Sequence, residues 1–366
     1  MIRHLLSRAP GRPALSANWK RRAARWAPLL SASVLPYITL ASADTLLALP
    51  DTVLSVGKEA EYRTISDAVE IANRDRDPTH SYSIVVAPGL YTNDFPHVTR
   101  PLTIRAQPTH GGQDVILRAT KDIPNGKGII LSEADLVVDG LTFERATIHN
   151  HLGGNAAGIR FENMGDTAKL IVQNSIFVSN QNGILTSENP SQRITISHTQ
   201  FKNNGNASIQ AGTLCCQHAI YISKAATLDV IDSFFCGQLV GHDIKSRAAV
   251  NSVSRSVFIH GTIDGHLAGC EEGSPSFAID LPNGGKTDIS QNKIIQGVTS
   301  RNKHLIAYGE EGLLYKYNHL FIRENEFVSN LPNATAIYNP HCSRVKLTNN
   351  TLSGVLAIVN PSECAL

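Results

Sequence analysis

The chain repeats itself. An apolar residue, four positions and a second apolar residue recur at Val138/Phe143, Ile171/Ile176, Ile196/Phe201, Val230/Phe235, Val253/Phe258, Ile289/Ile294, Ile322/Phe327 and Leu347/Leu352. After each comes a strand-like segment centred on one isoleucine: Ile159, Ile184, Ile220, Ile244, Ile279, Ile306, Ile337 and Ile358. Two motifs in strict alternation describe a coil whose every turn lays a short strand about 4.8 Å above its predecessor. Equivalent inward side chains then form columns, and β-branched isoleucine suits a dry parallel stack. Asn174, Asn292, Asn325 and Asn350 are expected to share one place between the paired apolar positions. Asparagine tolerates a bend there and can hydrogen-bond to its equivalent on the next turn. The expected fold is all-β, a single-stranded parallel β-helix of roughly eight to ten coils. Longer inserts at 144–157, 202–217 and 259–275 rise over one face.

Upstream, Thr64 to Asn73 reads as a short amphipathic helix with Ile65, Ala68, Val69 and Ala72 on one side. Thr64 and Asp67 mark its start, and a helix there would cover the open first rung. Ile84-Val85-Val86 and Leu102-Thr103-Ile104 read as the first strands.

Charge is unevenly placed. Seven basic residues (Arg3, Arg8, Arg12, Lys20, Arg21, Arg22 and Arg25) precede the first acid, Asp44. A largely apolar stretch from Trp26 to Leu40 and then Ala41-Ser42-Ala43 complete the pattern of a secretory leader. The expectation is a leader over 1–43 and a β-helix domain over 44–366, its N-terminal cap about 55–80. Without the leader, 33 basic residues become 26 against 31 acidic ones, a mildly acidic chain that argues against nucleic-acid binding. No second apolar run is long enough to span a bilayer, so the expected location is periplasmic or secreted.

All six cysteines lie after the leader, where oxidation favours disulfides. Cys342 and Cys364 follow neighbouring rungs, and a Cys342–Cys364 bridge would pin the last coil near 342–364. Cys236 and Cys270 form the second expected pair, with Cys215 and Cys216 as alternative partners.

The runs YRTISDAVEIA (62–72), IVVAPGLYTND (84–94) and PLTIRA (101–106) resemble the N-terminal portion of pectin-methylesterase-like and pectate-lyase-like proteins. The repeats over roughly 55–360 resemble the right-handed parallel β-helix repeat family. That resemblance implies a polysaccharide partner. The DPHD segment of mannuronan epimerases, the paired aspartates of polygalacturonases and the GxxDFIFG segment of pectin methylesterases are absent.

If the isoleucines point inward, the next residues point outward: Arg160, Leu185, Tyr221, Lys245, Asp280, Ala307, Tyr338 and Val359. Two positions further lie Glu162 and Arg247, and one position before Ile244 lies Asp243. Tyr221, Asp243, Lys245, Arg247 and Asp280 therefore form the candidate catalytic cluster, densest in GHDIKSRA (241–248). Arg160, Glu162, Glu310 and Glu311 are candidate substrate contacts on the same face. Three readings compete. In a uronate lyase or epimerase, Lys245 would be the base, Arg247 the carboxylate clamp and Tyr221 the acid. Asp280 beside Lys245 opposes this by holding the ammonium charged. In an inverting hydrolase, Asp243 and Asp280 would stand roughly 8 Å apart. In the third reading, Lys245 is an ion pair between stacked strands, and the helix binds glycans or serves as an envelope protein without catalysis. No cofactor is expected. Calcium is the one metal considered, on Asp264, Glu271 and Glu272 with Asp280.

Overall fold

The computed structural model describes residues 52–108, 114–148, 155–205, 217–263 and 267–359. The leader, Cys215, Cys216, Asp264 and Cys364 lie outside the described residues. All the strand pairings in the sheets are parallel, and they build a right-handed coil of about ten turns, the hand that parallel crossovers take.

Three strand columns form its walls. The isoleucine column is in register from Ile130 through Ile159, Ile184, Ile220, Ile244, Ile279 and Ile306 to Ile337, all fully buried. Ile130 extends it one turn upstream of the expectation. Downstream the expectation fails by one residue: Ile337 faces Val359, not Ile358, because the pairing shifts between Ala334 and Thr335. The second, aliphatic column runs through Leu54, Ile84, Ile104, Val138, Val172, Ile196, Val230, Val253, Ile289, Ile322 and Leu347. Two long strands, Ile220–Ile231 and Ile244–Ser254, pass through both columns, so hydrogen bonding merges them into one 19-stranded sheet.

The third wall is a ten-stranded sheet whose inward column is aromatic. Phe143, Phe177, Phe201, Phe235 and Phe258 stack with ring centroids 4.8, 5.0, 4.9 and 4.5 Å apart, matching the rung spacing.

The expected Ile171/Ile176 pair is corrected by this register. Val172 and Phe177 point inward, and Ile171 and Ile176 lie on the outer face. Asn174 consequently leaves the expected asparagine position, which Ser175 fills. It sits instead with Gly140, His198, Asp232, Arg255, Gln291, Glu324 and Asn349, all left-handed with φ from 49° to 77°. Side chains there carry conformational strain. Each corner from Asn174 to Glu324 is held by its N–H donating to a carbonyl of the next rung, as Asp232 does to Ser254 and Arg255 to Ser290. The next position forms a continuous polar ladder. Thr199 N–H donates to Ser233 Oγ, Ser233 N–H to Ser256 Oγ, and Ser256 N–H to Asn292 Oδ1. Asn292 and Asn325 continue it to Asn350.

The helix spans Ile65–Arg74 and buries the four residues expected, Ile65, Ala68, Val69 and Ala72. Thr64 Oγ1 accepts from Asp67 N–H at 3.1 Å, and the buried Asp94 accepts from the N–H groups of Ile65 and Ser66. A strand at Thr52–Val56, unforeseen, precedes it and pairs with Tyr82–Val86, so the first rung forms before the helix. Cys236–Cys270 is a disulfide, as expected. Asn203 braces it, accepting from Glu271 N–H and donating to the Gly269 carbonyl. Cys342 is also disulfide-bonded, and its expected partner, Cys364, is outside the described residues. The last described coil is the least covered: Leu347, Leu352 and Leu356 are 43%, 39% and 69% exposed.

Candidate functional site

Register assembles the core of the site. Leu185, Tyr221, Lys245, Asp280, Ala307 and Tyr338 lie directly opposite one another on successive rungs, as the outward column requires. Ser223 is an extra residue that shifts the next pairing, so Arg247 faces Lys224.

Lys245 Nζ donates to Asp280 Oδ2 at 2.8 Å and to Glu311 Oε1 at 3.1 Å. Arg247 grips Glu311 with both terminal nitrogens, NH1 to Oε2 at 2.7 Å and NH2 to Oε1 at 3.0 Å. Its Nε donates to the Tyr221 hydroxyl at 3.4 Å, and NH1 also reaches Asn283 Oδ1 at 3.3 Å. Glu311 reaches back over two rungs because its turn folds onto the previous coil. Gly309 N–H donates to the Leu281 carbonyl and Glu311 N–H to that of Pro282. Gly309 (φ 78°) and Gly312 (φ 107°) take conformations closed to other residues at low cost.

Burial alone would lower the Lys245 pKa, but Asp280 and Glu311 outweigh it and hold the ammonium charged, with its pKa raised. Glu311 is likewise pushed up by burial, yet Arg247 and Lys245 bring it below the usual carboxylate range. Burial pushes the Asp280 carboxyl up, and the Lys245 ammonium at 2.8 Å offsets only part of that rise.

Several expected contributors lie elsewhere. Asp280 has no exposed surface and Lys245 only 9%, so they floor the cluster instead of lining an open groove. Asp243 was expected outward but is buried, its Oδ2 2.8 Å from Nδ1 of the equally buried His260. The reason is local: the strand starts at Ile244, so alternation does not reach Asp243. Arg160 and Glu162 pair with each other at 2.8 Å, and Glu162 also binds Lys127. Three rungs separate Arg160 from Lys245, about 14 Å, so this is a separate cluster. Glu310 is exposed beside Glu311. Glu271 and Glu272 line a small cleft with Gly237, Ile259 and Gly261, away from Asp280. Among the described residues no group of three or more potential metal ligands converges, and Asp264 of the calcium set lies outside them.

Behind the cluster lies an inward ladder two positions before the isoleucines, which includes His242. Asn182 Oδ1 accepts from His218 N–H, His218 Nδ1 from His242 N–H at 3.1 Å, and His242 Nδ1 from Phe277 N–H at 3.1 Å. The His218 and His242 rings stack at 4.9 Å. Both rings therefore carry their proton on Nε2, and His242 Nε2 lies 3.4 Å from Asp280 Oδ2. Burial, aided by Lys245 and Arg247, pushes His218 down to about 3; burial, His218 and Lys245 also push His242 well down.

These lowered values make a pH prediction. Both rings are neutral in folded and unfolded chains above pH 6.5, so neither then affects stability. Below pH 6.5 the unfolded chain takes up protons that folded His218 refuses until about pH 3, so stability falls across that window. The expected loss from His218 is about 2 kcal/mol at pH 5, and His242 acts in the same direction. Denaturation midpoints from pH 7 to 4 should fall less steeply in His218→Asn than in the parent; equal slopes would refute the assignment.

No family model and no curated protein matches the chain. Among solved structures it is similar to the deglycosylated pectin methylesterase from Aspergillus niger, at 12% identity and TM-score 0.41 over 84% of this chain and 87% of that one. It is also similar to Escherichia coli YbhC, at 14% identity and TM-score 0.46 over 92% of this chain and 90% of that one. Among the described residues no helix is long and apolar enough to cross a membrane.

Proposed function

We propose that this β-helix protein binds an acidic, uronate-containing polysaccharide across Tyr221, Lys245 and Arg247, with a sugar carboxylate taking the place now held by Glu311. One observation carries the reading: two cations already hold one carboxylate, Arg247 through two bonds and Lys245 through a third. Paired parallel bonds from a guanidinium are the geometry in which proteins recognise carboxylates. Glu311 is 42% exposed on its side chain and sits in a turn between two glycines, so an incoming carboxylate can compete for its place. Tyr221 offers a ring beside the guanidinium, 5.8 Å from Cζ, against which a sugar can pack.

The test is a swap of charge. Glu311→Gln should tighten binding of polygalacturonate about tenfold in calorimetric titration, and Arg247→Ala should weaken it by at least about tenfold. Unchanged affinity in both variants would sink the proposal.

Lyase or epimerase chemistry is a second reading, favoured by the Tyr221 hydroxyl lying within reach of the same carboxylate site. Its difficulty is Lys245, which Asp280 keeps protonated and unfit as a base. Ultraviolet absorbance from an unsaturated uronate product would support elimination. Against a two-carboxylate hydrolase stands Asp243, which is held by His260 inside the coil.

A further inference from the structure

We infer that a second site for an acidic polysaccharide lies on the outer side of the aliphatic wall, centred on Phe321. The wall faces solvent there over four successive strands. Val250, Ser252, Lys286, Asp288, Phe321, Arg323 and Lys346 line a groove of about 490 Å³. A neighbouring hollow of about 410 Å³ continues it past His319, Arg344 and the shared Phe321 and Lys346.

The charge of this surface favours an anion. Some rungs set opposite charges across from one another, as with Lys245 on Asp280 and Lys293 on Glu326, each pair at 2.8 Å. Here the register aligns Lys286, His319 and Arg344 on three consecutive rungs, with no acid in the column. Lys286 and Arg344 stand two rungs apart across His319, about 10 Å, so an acidic chain lying along the column can meet both. Lys346 stands on the same face two residues from Arg344, opposite Phe321. The acid of this surface, Asp288, is already bound to Arg323 at 2.6 Å. Among the described residues Lys286, Arg344 and Lys346 have no ion pair.

The aromatic ring decides the ligand class. Phe321 is half-buried on an outer face, braced by the edge of His319 at a centroid distance of 6.3 Å. A flat ring set among cations suits a carbohydrate, which offers an apolar C–H face and an acidic group from one sugar unit. A nucleic-acid duplex carries one charge per roughly 1.7 Å of axis and asks for a longer run of cations than these rungs supply.

The test uses the full chain with polygalacturonate, and compares Lys286→Glu/Lys346→Glu and Phe321→Ala, each with and without Arg247→Ala. Binding that survives Arg247→Ala should fall at least about tenfold on adding the double charge reversal, and its salt dependence should flatten. Phe321→Ala should lower it without changing that salt dependence. Because these positions are at the surface, an unchanged thermal midpoint excludes misfolding as the cause. If Arg247→Ala alone abolishes binding and the Phe321-groove variants change nothing, the second site is overturned while the first stands. If the groove variants abolish binding and Arg247→Ala changes nothing, the first site fails and this one stands. Equal or tighter binding of duplex DNA by the Arg247→Ala chain at the same salt, lost on Lys286→Glu/Lys346→Glu, would also overturn the polysaccharide assignment.

Discussion

Lys245→Ala is expected to cost the fold about 3–5 kcal/mol, because it strands a buried carboxylate. Asp280 has no exposed surface, and its Oδ1 already lacks a hydrogen-bond partner. Loss of the ammonium would leave Oδ2 with only the 3.4 Å approach of His242 Nε2. Chemical denaturation should show the drop. The double replacement Lys245→Met/Asp280→Leu should recover most of it, since exchanging a buried ion pair for apolar groups of similar size is often neutral or favourable. A single variant as stable as the parent would mean that the pair is solvated and the buried-floor description is wrong. The consequence for functional work is direct: lost binding in Lys245→Ala alone does not identify a catalytic lysine, whereas Glu311→Gln and Arg247→Ala alter the exposed half of the cluster.

Phe201→Ala should be about as damaging, at about 3–5 kcal/mol. Its ring is sandwiched between Phe177 at 5.0 Å and Phe235 at 4.9 Å, so truncation opens a void against both neighbours. Solenoid rungs rely on their neighbours, and a void in the middle of the stack weakens two interfaces at once. Phe321→Ala is the matched comparison. On a half-open outer face it should change stability by no more than about 0.5 kcal/mol. Equal effects of the two substitutions, read from thermal midpoints, would contradict the column description.

The coil was legible in the sequence where a column tolerates only one kind of side chain. The isoleucines from Ile159 to Ile337 fall in register because each must fill the same slot between two copies of itself. Reading failed where both faces are apolar. Ile171-Val172 and Ile176-Phe177 offer two choices of parity, and only pairing with Val138 and Phe143 decides. The Lys245–Asp280 pair followed from register alone. Glu311 was named as a substrate contact but not as the partner of Lys245 and Arg247, since its place depends on a turn folding back over the previous coil, which no periodicity encodes. Asp243 was misplaced because alternation was extended past the end of a strand. His218 and His242 share the position two before an isoleucine, so the ladder they form was available to a reading that compared that column across rungs.

The uneven cover of the last described winding sets a direction for unfolding. In a quasi-one-dimensional array each turn is stabilised by those above and below it. The last described turn, which leaves Leu356 69% exposed, forfeits part of that support, while the first described turns are roofed by Ile65 and Val69. Among the described turns, opening should therefore start at the leucine-bearing one and advance toward the aromatic stack, with amide protons there exchanging first.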